Sequence, residues 1–144
     1  MILTGTIQKG YGLAMENLKK QLPYIEAEFP EIKGCFEGTL NLKIDRGLLV
    51  VSPDHRTKPI PWHESHIPGE IFDILRIKIK ETRSDELIQA WLYIPHNSDH
   101  RKDLSIHEVI AQQLDVSQND KFEIHIDRKC VELTYRQFPI VLVL

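Results

Sequence analysis

The sequence predicts a mainly β, barrel-forming domain. Three observations carry that expectation. Apolar and polar residues alternate with period 2 in at least five segments, only two short stretches carry helical spacing, and no strand–helix–strand rhythm runs along the chain. Seven or so short strands with two short helices point to a barrel rather than a parallel sheet layered by helices.

Each segment has its own signature. Leu40, Leu42 and Ile44 alternate with Thr39, Asn41 and Lys43, and Leu75, Ile77 and Ile79 alternate with Arg76, Lys78 and Lys80. Ile88, Ala90, Leu92 and Ile94 form another face that Pro95 ends. Phe122, Ile124 and Ile126 make the next, and Val131, Leu133 and Tyr135 the last. Residues 2–7 and 48–51 are shorter strand candidates. Helical spacing appears in Leu18, Leu22, Ile25 and Phe29, interrupted by Pro23, so the expected helix begins near Pro23 and covers 23–30. A second helix is expected over 105–114, because Ser105-Ile106-His107-Glu108 has the form of a capping box and Val109, Ile110 and Leu114 supply an apolar stripe. Residues 53–70, with four prolines and three histidines, read as a long loop, and loops of that length are often functional.

Composition narrows the function classes. The 144 residues fit one domain over 1–144, with 42% hydrophobic and 27% charged residues. A formal charge of −3 with no basic excess argues against a nucleic-acid partner. Cys35 and Cys130 stand in no metal-ligand or redox spacing and are expected as reduced thiols. The longest apolar run, 140–144, is too short to span a bilayer, and residues 1–5 carry no signal-peptide pattern. A cytoplasmic protein with no membrane partner is expected; oligomeric state stays open.

The chemistry concentrates in two motifs. Lys9-Gly10-Tyr11-Gly12 follows the first strand, and two glycines spaced by one residue let backbone N–H groups approach a phosphate. Taken alone, a turn explains it as well. Thr39 and Asn41 lie two apart on a strand and share a face, offering a hydroxyl and an amide oxygen that suit a hard cation such as Mg²⁺; taken alone, a solvated strand face explains them equally. His63 with His66, and His96 with His100, have ligand-like spacings but lack a helix or neighbouring cysteines, so they read as polar loop residues. Trp62 and Trp91 both read first as core or rim packing; of the two, Trp62 in the long loop is the better candidate to cover a flat ring, and Tyr11 is a candidate to stack on a base.

Gly10-Tyr11-Gly12 after a first strand, a short helix, and then Glu37-Gly38-Thr39-Leu40-Asn41-Leu42-Lys43 together resemble the archaeal CTP-dependent riboflavin kinases. Ile94-Pro95 followed by Glu108-Val109-Ile110-Ala111 adds to the resemblance, which covers about residues 2–126 and leaves 127–144 as a C-terminal strand extension. It implies a six-stranded cradle-loop barrel that moves the γ-phosphate of CTP to the 5′-hydroxyl of riboflavin, giving FMN. It also implies Gly10 and Gly12 against the nucleotide phosphates, Thr39 and Asn41 on Mg²⁺, and Glu108 on the flavin side; Lys9 and Tyr11 of the same loop are further nucleotide-binding candidates, by charge and by stacking. As an N3 residue of a capping box, Glu108 has a competing local role. Where the family carries a further glycine and a basic residue, this chain has Ala14 and Met15, and the segment after Ala111 is several residues shorter. The alternative is a non-catalytic barrel that binds a flavin or nucleotide as a sensor or interaction module.

Overall fold

The computed structural model describes residues 1–9, 15–65, 67–97 and 103–134. In chain order the elements are β1 (Ile2–Lys9), α1 (Met15–Glu28), β2 (Leu40–Ile44), β3 (Gly47–Val50), β4 (His55–Arg56), β5 (Phe72–Glu81), β6 (Ile88–Pro95), β7 (Ile106–Ala111), β8 (Lys121–His125) and β9 (Val131–Thr134). Short 3₁₀ turns fill Pro30–Ile32 and Arg128–Cys130. Strands β5, β6, β7, β2, β1 and β8 pair in that order, all antiparallel, and β8 returns to β5. The result is a closed six-stranded barrel, with β4 added beside β5 and a separate β3–β9 ribbon.

Period 2 sorts side chains to the two sides of this wall. Ile7, Leu40, Leu42, Leu75, Ile77, Leu92, Val109 and Phe122 are among those that fill the barrel interior. A second cluster lies on the outside, where Phe72, Ile74, Trp91, Tyr93 and Ile110 meet Leu18, Leu22, Ile25 and Phe29 from α1 and its end. Strands β5, β6 and β7 are therefore buried on both faces, and α1 covers them.

Two expectations need correction. The first helix runs over Met15–Glu28 and keeps Pro23 inside it instead of starting there. Pro23 and Lys19 are both exposed, so the helical hydrogen bond that proline removes is lost on the solvent side. Proline costs about 3 kcal/mol in a helix interior, while burying Leu18, Leu22 and Ile25 is worth roughly 5–9 kcal/mol. Burial wins. The expected helix over 105–114 is strand β7, so the capping box does not form. Strand β7 is paired on both sides, with β2 and β6, and four consecutive residues from Glu108 to Ala111 are buried. Burial on both faces erases the alternation that marks a strand. Ser105 is fully buried and bonded through its N–H and hydroxyl to Asp103 Oδ1.

Residues 53–70 are more ordered than a free loop. Ile60 bridges Glu70 in antiparallel fashion, and Gly69 sits at φ +154° with its α-carbon so close to Ile60 that an added Cβ would fall 2.7 Å from the Ile60 nitrogen. Only glycine fits there.

If the exposed Pro23 is tolerated rather than needed, Pro23→Ala restores a helical hydrogen bond at no cost in packing. Thermal unfolding is expected to shift upward by a few degrees, for roughly 1–2 kcal/mol gained. A lowered melting temperature contradicts this account of α1.

Candidate functional site

Strand register builds the site. Asn41 on β2 stands opposite Lys9 of β1 on one side and Glu108 of β7 on the other. Glu108 in turn faces Tyr93 of β6, and Tyr93 faces Ile74 of β5. One row thus crosses five strands of the wall. On β2, Leu40 and Leu42 belong to the interior cluster, so Asn41 between them points outward. A register shift between Ile7 and Lys9 sets Lys9, rather than Gln8, against Asn41.

Two of the predicted residues meet directly. The Thr39 hydroxyl donates to Glu108 Oε1 at 3.2 Å, and both residues are almost completely buried, at 3% and 8% exposure. Asn41 is the direct cross-strand neighbour of that carboxylate, yet its Oδ1 is buried and has no hydrogen-bond partner among the described residues. A buried acceptor without a donor costs free energy unless something else supplies one. Hydroxyl, amide oxygen and carboxylate form an all-oxygen set that fits a hard cation such as Mg²⁺, whose remaining ligands are commonly waters and phosphates. Among the described residues no group of three His, Cys, Asp or Glu side chains could hold a metal, so a cation here relies on the neutral oxygens of Thr39 and Asn41.

Glycines 10 and 12 and Tyr11 lie outside the described residues, as do Ala14, His66 and His100. The backbone of Lys9 is described and places the start of that segment beside Asn41.

Sequence reasoning missed two members of the cluster, Tyr93 and Gln21. The Tyr93 hydroxyl donates to Gln21 Oε1 of α1, and both side chains are buried. Burial first, then the negative charges of Glu108 and Glu70, hold the Tyr93 phenol well above its ordinary range, so it stays a donor. Gln21 had a signal: it stands among Leu18, Leu22 and Ile25 at helical spacing, an amide on an apolar stripe.

Around this cluster the 53–70 segment is held by charge. Glu70 is 3% exposed and accepts from the Trp62 indole at 2.9 Å and from the Asn97 backbone N–H at 2.9 Å. Trp62 is thereby fixed at the rim, with the His63 ring 5.5 Å from it. Asp73 accepts from Arg56 Nε and Nη2, at 2.8 and 3.0 Å, with His96 Nε2 3.0 Å away. Burial pushes the Asp73 carboxyl up, but its bonds to Arg56 and His96 outweigh this and hold it below the ordinary aspartate range. His55 bonds Glu28 at the end of α1 at 3.1 Å. Trp91 is a packing residue whose indole donates to Glu31 at 2.7 Å. Both cysteines are free, and burial, followed by the charge of Glu26, raises the Cys35 thiol to about 11, which leaves it unreactive at neutral pH.

The fold is a closed antiparallel barrel whose wall brings Thr39, Asn41 and Glu108 together, with one helix packed on its outside. No family model matches this chain, and no curated protein matches its sequence. Among the described residues no helix is long and apolar enough to cross a membrane.

Two expectations follow from the site. Removing the orphaned acceptor by Asn41→Ala should leave stability within about 0.5 kcal/mol of the parent or raise it, whereas Thr39→Ala strips a buried carboxylate of a donor and should cost about 1.5–3 kcal/mol. Chemical denaturation of both variants checks the contrast, and equal losses contradict it. Asp73 has a lowered carboxyl pKa in the folded state, so its stabilisation is present above the unfolded value of about 3.9 and is lost as pH falls through the folded value. Asp73→Asn is therefore expected to be less stable at neutral pH and to show a flatter loss of stability below about pH 4 in acid titration followed by circular dichroism.

Proposed function

We propose that this protein is a phosphotransferase of the riboflavin kinase type, taking the γ-phosphate of CTP or a related nucleotide and placing it on the riboflavin 5′-hydroxyl to give FMN. The observation that carries this reading is the row Lys9–Asn41–Glu108, with the Thr39 hydroxyl bonded to Glu108. Residues singled out separately in the sequence, 99 positions apart at the extremes, converge on one patch of the wall. The buried Asn41 Oδ1, without a hydrogen-bond partner among the described residues, supports it further, because it is the atom a cation ligand role requires.

Each group has a role in this reading. Thr39 and Asn41 supply neutral oxygens to Mg²⁺, which when bound neutralises phosphate charge and orients it. Lys9, Gly10, Tyr11 and Gly12 bind the nucleotide. Glu108 keeps its carboxylate on the acceptor side, while its bond to Thr39 fixes the hydroxyl's direction. Phosphoryl transfer asks little more of a protein than positioning and charge neutralisation, so a reaction of this type suits a site with one buried carboxylate.

A second reading, a barrel that binds a flavin or nucleotide without catalysis, is favoured by one feature. Met15, where the family carries a basic residue, opens α1 as an exposed apolar side chain and offers the phosphates no charge.

Incubation with riboflavin, Mg²⁺ and either CTP or ATP, followed by chromatography for FMN, separates the readings. FMN formation is expected, with kcat/KM falling about tenfold or more in Lys9→Ala and rising, or sharpening toward CTP, in Met15→Arg. Tight riboflavin or nucleotide binding with no FMN from the parent or either variant transfers the case to the binding module.

A further inference from the structure

We propose that Tyr93 is a positioning residue of this site, tying α1 to the wall through Gln21 so that Glu108 keeps its bond to Thr39 beside Asn41. This rests on the reading of the Thr39–Asn41–Glu108 cluster as a cation and phosphate site.

Four observations lead to it. Tyr93 is the direct cross-strand neighbour of Glu108, one step along the row from Asn41. Its ring lies against Phe72, with centroids 5.5 Å apart and planes at 22°, so a phenylalanine would fill the same space. The hydroxyl is thus a polar group buried with no packing reason for being there. Two carboxylates, Glu108 and Glu70, are near enough to raise the phenol's pKa, and a carboxylate is the stronger acceptor. The hydroxyl nevertheless goes to the Gln21 amide oxygen, and Glu108 Oε1 receives the Thr39 hydroxyl instead.

The helix explains why this tether matters. The carboxyl end of α1 is fastened several times over: Glu28 bonds His55 and the Lys58 N–H, and the Phe29 ring just beyond lies 5.2 Å under the Arg76 guanidinium. In the amino-terminal half, Gln21 is the single polar residue among the buried positions of the helix. Its bond to Tyr93 fixes that half in register with the wall, where packing by Leu18 and Leu22 alone leaves sliding unopposed. A helix displaced by a fraction of an ångström pulls on Tyr93, the cross-strand neighbour of Glu108, and phosphate sites are sensitive to shifts of that size.

The test uses the full chain with Tyr93→Phe, Gln21→Met and the double variant. Removing both polar partners together leaves no orphan, so the double variant is expected to melt within about 2 °C of the parent, which guards against a trivial folding defect. In the ligand-free proteins, ¹H–¹⁵N spectra should show the Asn41 side-chain amide and the Glu108 backbone amide shifted in both Tyr93→Phe and the double variant. Calorimetric titration with Mg²⁺–CTP should show affinity weakened roughly 3- to 30-fold in the same two proteins, not rescued in the double variant. Unshifted resonances, or Mg²⁺–CTP affinity within twofold of the parent, overturn the proposal and leave Tyr93 a packing residue. If the parent binds no Mg²⁺–CTP while the resonances move, the phosphate reading of the cluster falls and the coupling of Tyr93 to Glu108 stands.

Discussion

The register of β2 between β1 and β7 is the constraint on which the rest of this architecture depends. Leu40, Leu42 and Ile44 are each at most 2% exposed because they fill the barrel, and burying three such side chains is worth roughly 5–9 kcal/mol. A slip of one residue would turn all three out and bring Asn41 and Lys43 in. The interior therefore dictates what the exterior displays. Asn41 must face outward, and its neighbours in the ladder must be Lys9 and Glu108. The bulge that ends the regular pairing of β1 makes the final adjustment, since it sets Lys9 against Asn41 in place of Gln8. The cluster is held by the wall's hydrogen bonds, so a cation or phosphate would meet groups already placed.

The outer layer then converts an exposed row into an enclosed one. Helix α1 lays Leu18, Leu22 and Ile25 on Phe72, Ile74, Trp91 and Ile110, and Glu108 and Thr39 of the same wall are 8% and 3% exposed. In that dry setting each polar group needs a partner, and the partners are specific: Tyr93 for Gln21, Thr39 for Glu108, Trp62 and the Asn97 N–H for Glu70. Asn41 Oδ1 breaks the pattern. Among the described residues that acceptor stays unpaired at the point where the sequence motif resembles a cation site.

Most strands were legible in the sequence because one of their faces is buried and the other wet, which is what period 2 reports. Strand β7 was hidden because it has no exposed residue to mark a wet face, unlike β5 with Arg76 and Lys78 and β6 with Gln89, so Glu108 to Ala111 read as a helical run behind a false cap. Helix α1 was shortened in the reading because Pro23 has a strong local preference, which the burial of Leu18 and Leu22 overrides. Thr39, Asn41 and Glu108 were chosen by motif, and they meet even though Glu108 lies on a strand where a helix was expected. Tyr93 and Gln21 were not found, since their partnership joins positions 72 residues apart and no local pattern encodes it.

The central claim is that Asn41, Thr39 and Glu108 face a single cation–phosphate complex, and paramagnetic broadening by Mn²⁺ tests it at the atoms concerned. With Mn²⁺–CTP added in small molar fraction to ¹⁵N-labelled protein, the Asn41 side-chain amide and the backbone amides of Thr39 and Glu108 should broaden first. Amides of the β3–β9 ribbon, which lies outside the barrel sheet, should stay sharp. Broadening that spares Asn41 and spreads instead over exposed acidic residues such as Asp45 and Glu132 would contradict the account and return the row to a role in folding alone.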